Sequence, residues 1–271
     1  MSLLDNPLKD WDRCKVTMKE VYQIRPPKEY LINPIAPIAS LISIVGNSDS
    51  LKSMFTMVMG AATLTGKDFL PPEPGSSAIG TTFKTTKANV MWIDQDNGKI
   101  RTENRWQASA KAYNVPEDAG LEIYSFPLPT LNLSKDSHAT DLMLRIADSN
   151  TKLVVIDNLV TISGGVDENS AEIMKVMMNL RYIVENAQCA LFVIHHLRKS
   201  NGIRGLAGDN MRGFSGIKGA IDSLLVVSRE PGSSLITISS EKSRDAQIPS
   251  FSAKFSYTHK PGTKELDTAM F

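Results

Sequence analysis

Cysteines and long apolar runs are both scarce in this sequence, and each absence excludes a class of protein. Only Cys14 and Cys189 occur among the 271 residues. Because they are far apart and lack the spacing of metal ligands, they predict neither a disulfide framework nor a zinc site. No apolar run reaches the length of a membrane span, and the first residues lack the apolar core of a signal peptide. We therefore expect a cytoplasmic protein with no membrane partner.

An excess of one charge is missing as well. The chain has 30 lysines and arginines against 29 aspartates and glutamates, a net charge of +1. This balance provides no general attraction to nucleic acid, so any contact with a polynucleotide has to be local. With 42% hydrophobic and 22% charged residues, the composition is that of a globular protein long enough for one large α/β domain.

The order of apolar runs predicts the architecture of this domain. Strand-like runs alternate with helix-like segments through the middle of the chain. The strands are predicted at 40–45, 89–94, 121–126, 153–157 and 190–195, and helices at 99–113, 135–148 and 168–186. This alternation indicates an α/β fold with a mainly parallel sheet flanked by helices.

Both ends of the chain lack the alternation of strand-like and helix-like segments. Strand-like runs at 223–228, 235–240 and 251–257 follow one another directly, which predicts an antiparallel β end. Residues 1–35 are polar and then rich in proline, so they are predicted as a lead-in segment with a short helix. The predicted division is therefore a lead-in at 1–35, one domain at 36–258 and a C-terminal tail at 259–271.

The segment from Gly46 to Ser53 has the layout of a phosphate-binding loop. It follows a strand-like run and precedes a helix-like run that stops at Gly66. In such loops, backbone N–H groups hold phosphate oxygens, a lysine contacts the terminal phosphates and a hydroxyl ligates Mg²⁺. Leu51 occupies the place of the last glycine of the pattern. The predicted ATP-binding residues are Gly46, Asn47, Ser48, Asp49, Ser50, Leu51, Lys52 and Ser53.

Asp157 ends the apolar run 153–157 and is the second element expected of a nucleotide site. A carboxylate at the end of a strand beside a phosphate loop can hold the hydration shell of Mg²⁺. We therefore predict that Ser53 and Asp157 position Mg²⁺.

Two further strand ends carry polar groups. Asp94 ends the run 89–94 and Asp96 follows it, and either could orient the water that attacks the γ-phosphate, or merely cap the next helix. His195 ends the run 190–195 and His196 follows it. His196 is the better candidate for a sensor of the γ-phosphate, although a surface pair would give the same pattern.

A basic, glycine-rich segment follows the histidines. Its lysines and arginines greatly outnumber its one acid, Asp209. This composition favours binding to the phosphodiester backbone of a nucleic acid without recognition of the base sequence. A solvated loop would have the same composition. The predicted DNA-binding residues are Arg198, Lys199, Arg204 and Arg212.

Taken in this order, residues 30–257 resemble the RecA-like ring ATPases. The resemblance is closer to the branch of the plasmid replicative helicase RepA than to the hexameric DnaB-type helicases. It implies a RecA-like P-loop ATPase domain at 36–258. In that branch the last glycine of the loop is often replaced by phenylalanine or leucine, which accounts for Leu51, whereas Asp49 adds an unusual negative charge.

The resemblance also implies roles for single residues. The family's catalytic glutamate falls on Asp96, one methylene shorter, and a recurrent arginine falls on Arg105. Residues 212–222 look like the family segment R-G-S-S-A…A-x-D. Lys242 and Arg244 are similar to the K-x-R that one subunit presents to the nucleotide of its neighbour. At period two they share a face of one strand, although a surface strand with two cations would show the same pattern.

The resemblance implies a Mg-ATP-dependent motor. It would assemble into a ring, expected to be hexameric, and translocate on or unwind single-stranded DNA during replication. A primase, a loader or other replication proteins are candidate partners. Two alternatives stay open: a degenerate ATP- or DNA-binding switch or scaffold, and a RecA-like ATPase that acts on protein partners or in recombination without unwinding.

Overall fold

The computed structural model describes residues 14–71, 81–167, 170–196 and 215–271. The helices are α1 (Met18–Val21), α2 (Lys52–Thr65), α3 (Lys99–Tyr113), α4 (Asp136–Asp148), α5 (Leu159–Ile162), α6 (Ile173–Ala187) and α7 (Ser215–Ala220). The strands are β1 (Tyr30–Ile32), β2 (Ala36–Pro37), β3 (Ser40–Gly46), β4 (Asn89–Asp94), β5 (Leu121–Ser125), β6 (Thr151–Asp157), β7 (Ala190–His196), β8 (Ser223–Arg229), β9 (Leu235–Ser243), β10 (Phe251–Lys254), β11 (Ser256–His259) and β12 (Leu266–Met270).

An eight-stranded sheet organises the fold, in the order β10-β9-β8-β3-β7-β6-β4-β5. Neighbours from β8 to β5 in this order are parallel, whereas β9 pairs antiparallel with both β8 and β10. The central strands are buried along their length because helices cover both faces, which explains their continuous apolar sequences. The predicted α/β fold with a mainly parallel sheet and an antiparallel β end is confirmed.

Two apolar layers hold the sheet between the helices. On one face, α2 and α3 pack against the sheet, with Trp92 and Trp106 in an edge-to-face contact at 5.5 Å. On the other face lie α4 and α6. The carboxyl ends of β3, β4, β6 and β7 therefore meet at one edge of the sheet, where open α/β sheets bind ligands. We call this the loop edge.

The C-terminal part differs from the prediction in two places. The single strand predicted at 251–257 is wrong, because Phe255 is buried, donates its N–H to the carbonyl of Ser234 at 2.7 Å and separates β10 from β11. The tail predicted at 259–271 instead completes the antiparallel pair β11–β12. Phe271 packs edge-to-face on Phe55 of α2 at 5.6 Å, so the end of the chain belongs to the core.

The start of the domain also differs from the predicted boundary. Residues 14–29 are exposed, but Leu31 and Ile32 are already buried in the core, before residue 36. The helix predicted from residue 168 begins at Ile173. Among the helices that the structure describes, none has the length and apolar character needed to cross a membrane.

Candidate active site

The phosphate-binding loop connects β3 to α2 at the loop edge. The Lys52 ammonium donates to the carbonyl oxygens of Gly46 at 2.9 Å and Asn47 at 2.6 Å, so the lysine folds back over its own loop. Burial lowers the pKa of Lys52 to about 8, against the opposing pull of Asp157 and Asp49. The ammonium is thus held beside the N-terminus of α2, where an anion is stabilised.

The backbone of this loop adopts the conformation of a glycine-rich loop without all of its glycines. Leu51, in the place of the last glycine, has φ 65°, and Asp49 has φ 63°. A left-handed backbone costs an L-residue about 1–2 kcal/mol, so these positions carry strain that glycine would avoid. Arg229 at the end of β8 donates to the Asp49 carbonyl at 3.0 Å and supports this turn.

Gly46 is required for a different reason: neighbouring atoms lie too close to its Cα to leave space for a side chain. A Cβ there would lie 2.3 Å from the carbonyl oxygen of Val227 and 2.8 Å from the Ser50 hydroxyl. Both distances are far below normal contact, so any other residue would displace β8 or the loop. The first glycine of the pattern is therefore fixed by packing, whereas the last is replaceable.

Ser53 and Asp157 meet across the loop edge, as the sequence predicts for a Mg²⁺ site. The Ser53 hydroxyl donates to Asp157 Oδ2 at 2.6 Å. Burial raises the pKa of Asp157 to about 6, and the hydrogen bond from Ser53 opposes this rise. Asp157 Oδ1 is buried and accepts no hydrogen bond within the described part of the chain.

This arrangement fits Mg²⁺ held jointly with phosphate oxygens. The buried, unpaired Oδ1 and the neighbouring hydroxyl are the hard oxygen ligands that Mg²⁺ prefers. In the described ranges no group of three or more His, Cys, Asp or Glu side chains could hold a metal ion. A magnesium site here would therefore depend on the nucleotide for further ligands, as in P-loop proteins.

The structure gives different surroundings to Asp94, the last residue of β4, and to Asp96, which follows the strand. Asp94 is fully buried; its Oδ1 accepts the backbone N–H groups of Asp96 at 2.9 Å and Asn97 at 2.8 Å, and its Oδ2 accepts the Thr102 hydroxyl. Asp94 thus fixes the turn into α3. The Asp96 carboxylate remains partly exposed at the loop edge, with its side chain 44% accessible.

His196 faces Asp96 across the same edge. Its Nε2 lies 3.9 Å from Asp96 Oδ2, and burial together with the charge of Lys52 lowers the pKa of His196. The imidazole is therefore favoured in its neutral form, and its buried Nδ1 has no hydrogen-bond partner among the described residues. His195, by contrast, points into the interior and is buried.

A family model described as an AAA domain matches residues 9–202 of the chain. The protein belongs to this AAA domain family. The family is one of P-loop ATPases, which agrees with the loop, the hydroxyl and the strand-end carboxylate described above. A comparison with curated proteins found no significant match. The matched range ends before β8, so Lys242 and Arg244 lie beyond it.

Asn97 also lies at this candidate nucleotide site, although the sequence analysis did not predict it. Its amide nitrogen lies 3.2 Å from Asp157 Oδ2 and 3.3 Å from Asp94 Oδ2, and its amide oxygen accepts a hydrogen bond from Arg105 at 3.2 Å. Asn97 therefore links the predicted metal carboxylate to α3. The signal available in the sequence was a polar residue directly after Asp96 on a strand end.

Lys242 and Arg244 lie at the other end of the strands. Ser243 at the end of β9 pairs with Ser223, the first residue of β8, and Ser223 pairs with Ile42 of β3. Gly46 lies four residues further along β3, which corresponds to about 13 Å at the usual rise of a strand. The two cations thus sit at what we call the opposite edge, away from the phosphate loop of the same chain.

The four predicted DNA-binding residues are Arg198, Lys199, Arg204 and Arg212. They lie outside the described residues, so their role stays a prediction.

Proposed function

We propose that this AAA domain protein is a Mg-ATP-dependent motor of the helicase type, which forms a ring and translocates on or unwinds single-stranded DNA. The observation that carries the catalytic part is the hydrogen bond between Ser53 and Asp157, with the Lys52 ammonium in the same loop. Strand and helix thereby bring a cation, a hydroxyl and a carboxylate to one edge of the sheet.

In this proposal the loop from Gly46 to Ser53 and the N-terminus of α2 bind the phosphates of ATP. Lys52 would leave the carbonyls of its own loop and contact the terminal phosphates. Ser53 and Asp157 would hold Mg²⁺. The ion, when bound, neutralises charge that develops on the β- and γ-phosphates.

Asp96 is the proposed general base. Its carboxylate is exposed at the loop edge, where it can accept a proton from an attacking water. Neutral His196, 3.9 Å from it, can hydrogen-bond a phosphate oxygen and respond to loss of the γ-phosphate. Because aspartate is one methylene shorter than the family's glutamate, the efficiency of hydrolysis depends on how closely the loop edge holds the water.

The ring is proposed from Lys242 and Arg244. Both lie away from the phosphate loop of their own subunit, as residues that act on a neighbour's nucleotide must. A guanidinium supplied in trans stabilises charge on the transferred phosphoryl group, with an effect of roughly 10³–10⁵ in rate. The basic segment after β7 is proposed to contact DNA through Arg198, Lys199, Arg204 and Arg212.

ATP turnover measured with and without single-stranded DNA tests the proposal. Stimulation by DNA supports the motor. Binding of ATP without turnover would instead support a switch or scaffold, which the strained backbone at Leu51 and the short Asp96 favour. An ATP turnover rate that is the same with and without DNA would indicate an ATPase that acts on protein partners.

A mixing experiment tests the ring. Arg244→Ala should bind ATP but be nearly inactive alone, and Lys52→Ala should be inactive for a different reason. Mixed subunits should regain part of the activity, because some interfaces join an intact loop to an intact arginine. No recovery despite subunit exchange, or a protein that stays monomeric with ATP and DNA, would contradict the ring.

A further inference from the structure

A compact cluster of cations surrounds Asp222 at the opposite edge. Arg181 on α6 makes a two-pronged contact with Asp222, at 2.7 Å through Nη1 and 2.9 Å through Nη2. Arg244 Nη1 contacts Asp222 Oδ1 at 3.2 Å. Lys242 completes what we call the Asp222 cluster by donating to the carbonyl of Lys218 at 2.5 Å.

The same cations hold the last turn of α7. Arg244 Nη2 donates to the Gly219 carbonyl at 2.6 Å, and Lys242 contacts that carbonyl at 3.3 Å. Arg181 donates to the Ala220 carbonyl at 2.9 Å. Cations are favoured at a helix C-terminus, where backbone carbonyls lack partners within the helix. Lys242 and Arg244 therefore face one common acceptor and are held side by side.

Asp222 itself is fixed from the β3 side. Its Oδ2 accepts the backbone N–H of Leu41 at 2.8 Å, and its own N–H donates to the Leu41 carbonyl at 2.8 Å. The Asp222 side chain is only 11% accessible, that of Arg181 is 28% accessible and that of Arg244 is 50% accessible. Arg181 is thus the inner cation that orients the carboxylate, and Arg244 is the outer one.

We infer that Arg181 and Asp222 are positioning residues that hold Arg244 at the subunit surface, ready to contact the nucleotide of a neighbouring subunit. This inference rests on the trans role proposed for Arg244. The reason is conformational entropy. A free arginine side chain has many rotamers, and a hydrogen bond to a fixed carboxylate removes most of them before the neighbouring subunit binds. Arg181 keeps Asp222 paired if Arg244 moves outward.

Arg181→Gln in the full-length protein tests this inference. It should bind ATP as the unmodified protein does and lose turnover by about ten- to a hundredfold, the usual effect of a misplaced catalytic group. Mixed with Lys52→Ala it should regain activity, because its phosphate loop is intact. Mixed with Arg244→Ala it should regain none, because both subunits then lack a working arginine.

A matched control lies on the same helix. Lys175→Gln removes one cation of α6 that pairs with Asp136 at the surface, away from Asp222. It should leave turnover and mixing behaviour unchanged. If Arg181→Gln does not fold, Arg181→Lys retains the charge without the two-pronged contact, and it should show the same mixing pattern with a smaller loss.

The outcomes separate this inference from the function on which it rests. If Arg244→Ala and Lys52→Ala rescue each other but Arg181→Gln keeps full turnover, or is not rescued by Lys52→Ala, the positioning role is wrong and the ring stands. If Arg244→Ala and Lys52→Ala do not rescue each other, the trans role fails and the positioning role falls with it.

Discussion

The two edges of the central sheet use their charged groups in opposite ways. At the loop edge, Asp157 Oδ1 and His196 Nδ1 are buried without a partner in the described part of the chain, and the Asp96 carboxylate is partly exposed. At the opposite edge, the guanidinium groups of Arg181 and Arg244 are both bound to one carboxylate and to carbonyls of α7.

This difference favours the loop edge as the place where a bound ligand would complete the pairing of buried polar atoms. Burying an unpaired polar atom costs about 1–3 kcal/mol, so such atoms persist where a ligand satisfies them. The pKa values agree, since burial lowers that of Lys52 to about 8 and raises that of Asp157 to about 6, and each shift favours the neutral form. The cations of the Asp222 cluster, by contrast, are paired with acceptors of the same chain.

The largest expected effect comes from removing the cation of the loop edge. Lys52→Ala should abolish ATP turnover and weaken ATP binding, because the main positive charge on the terminal phosphates is lost. We expect turnover to fall to background, a larger loss than the roughly 10²–10³-fold that follows removal of one charge-stabilising donor. Steady-state turnover and ATP titration measure this. Normal turnover in a folded Lys52→Ala protein would remove the phosphate-loop interpretation.

The next effect distinguishes the two acids at the end of β4, Asp94 and Asp96. Asp96→Asn should bind ATP but lose roughly 10²–10⁴ in turnover, because an amide cannot accept the proton of the water. Asp94→Asn should instead lower the free energy of unfolding by about 1–3 kcal/mol, since one of its acceptor oxygens becomes a donor that faces N–H groups. Turnover and thermal unfolding of both variants check this. If the two variants exchange these behaviours, the base is Asp94.

A smaller effect concerns the stability of the ligand-free protein. The folded pKa of Asp157 is raised to about 6, above the unfolded value of about 3.9, so its contribution to stability is complete below pH 4 and is lost as the pH rises towards 6. Asp157→Asn should therefore stabilise the ligand-free protein at pH 7 by about 1–3 kcal/mol.

Denaturant unfolding at several pH values measures this difference. The two proteins should converge near pH 4, which serves as the internal control, and diverge up to pH 6. With ATP and Mg²⁺ the order should reverse, because only Asp157 can hold the ion. A variant that is less stable at pH 7 without ligand would show that Asp157 is not strained by burial.

The features that could be predicted from the sequence are those set by residues close together in the chain, and the features that were missed depend on residues far apart in it. The parallel strands follow from local apolar runs, and the proximity of Lys52, Ser53 and Asp157 follows from motif spacing, whereas their roles stay predictions. Arg181 could not be found this way, because its partner Asp222 is far along the chain and the contact exists only after α6 packs. The hairpin β11–β12 was missed because β11 is exposed and β12 is only partly buried, so neither strand has a continuous apolar sequence.

The position of Leu51 shows the same limit at the scale of one residue. The sequence indicates a missing glycine, whereas the structure shows that the backbone conformation of glycine is retained, at φ 65°. The Leu51 side chain is partly buried and packs against the hydrophobic core. The motif tolerates leucine because packing offsets backbone strain.

The smallest expected effect comes from restoring that glycine. Leu51→Gly relieves about 1–2 kcal/mol of left-handed strain but loses apolar contacts and adds unfolded-chain entropy, so the net change in unfolding free energy should stay below about 1 kcal/mol. ATP affinity should change little, because the loop backbone is already in place. Unfolding and ATP titration measure both.

Gly46→Ala is the matched control for this prediction, since it changes the other end of the loop by a single methyl group. Its Cβ would meet the Val227 carbonyl oxygen at 2.3 Å, so it should destabilise the protein by about 1–3 kcal/mol and weaken ATP binding. Leu51→Gly could instead raise the ATP affinity by more than about tenfold, which corresponds to about 1.4 kcal/mol. Such a gain would show that leucine obstructs the phosphates. The loop edge would then be a weakened nucleotide site, and the switch would replace the motor as the better account of this protein.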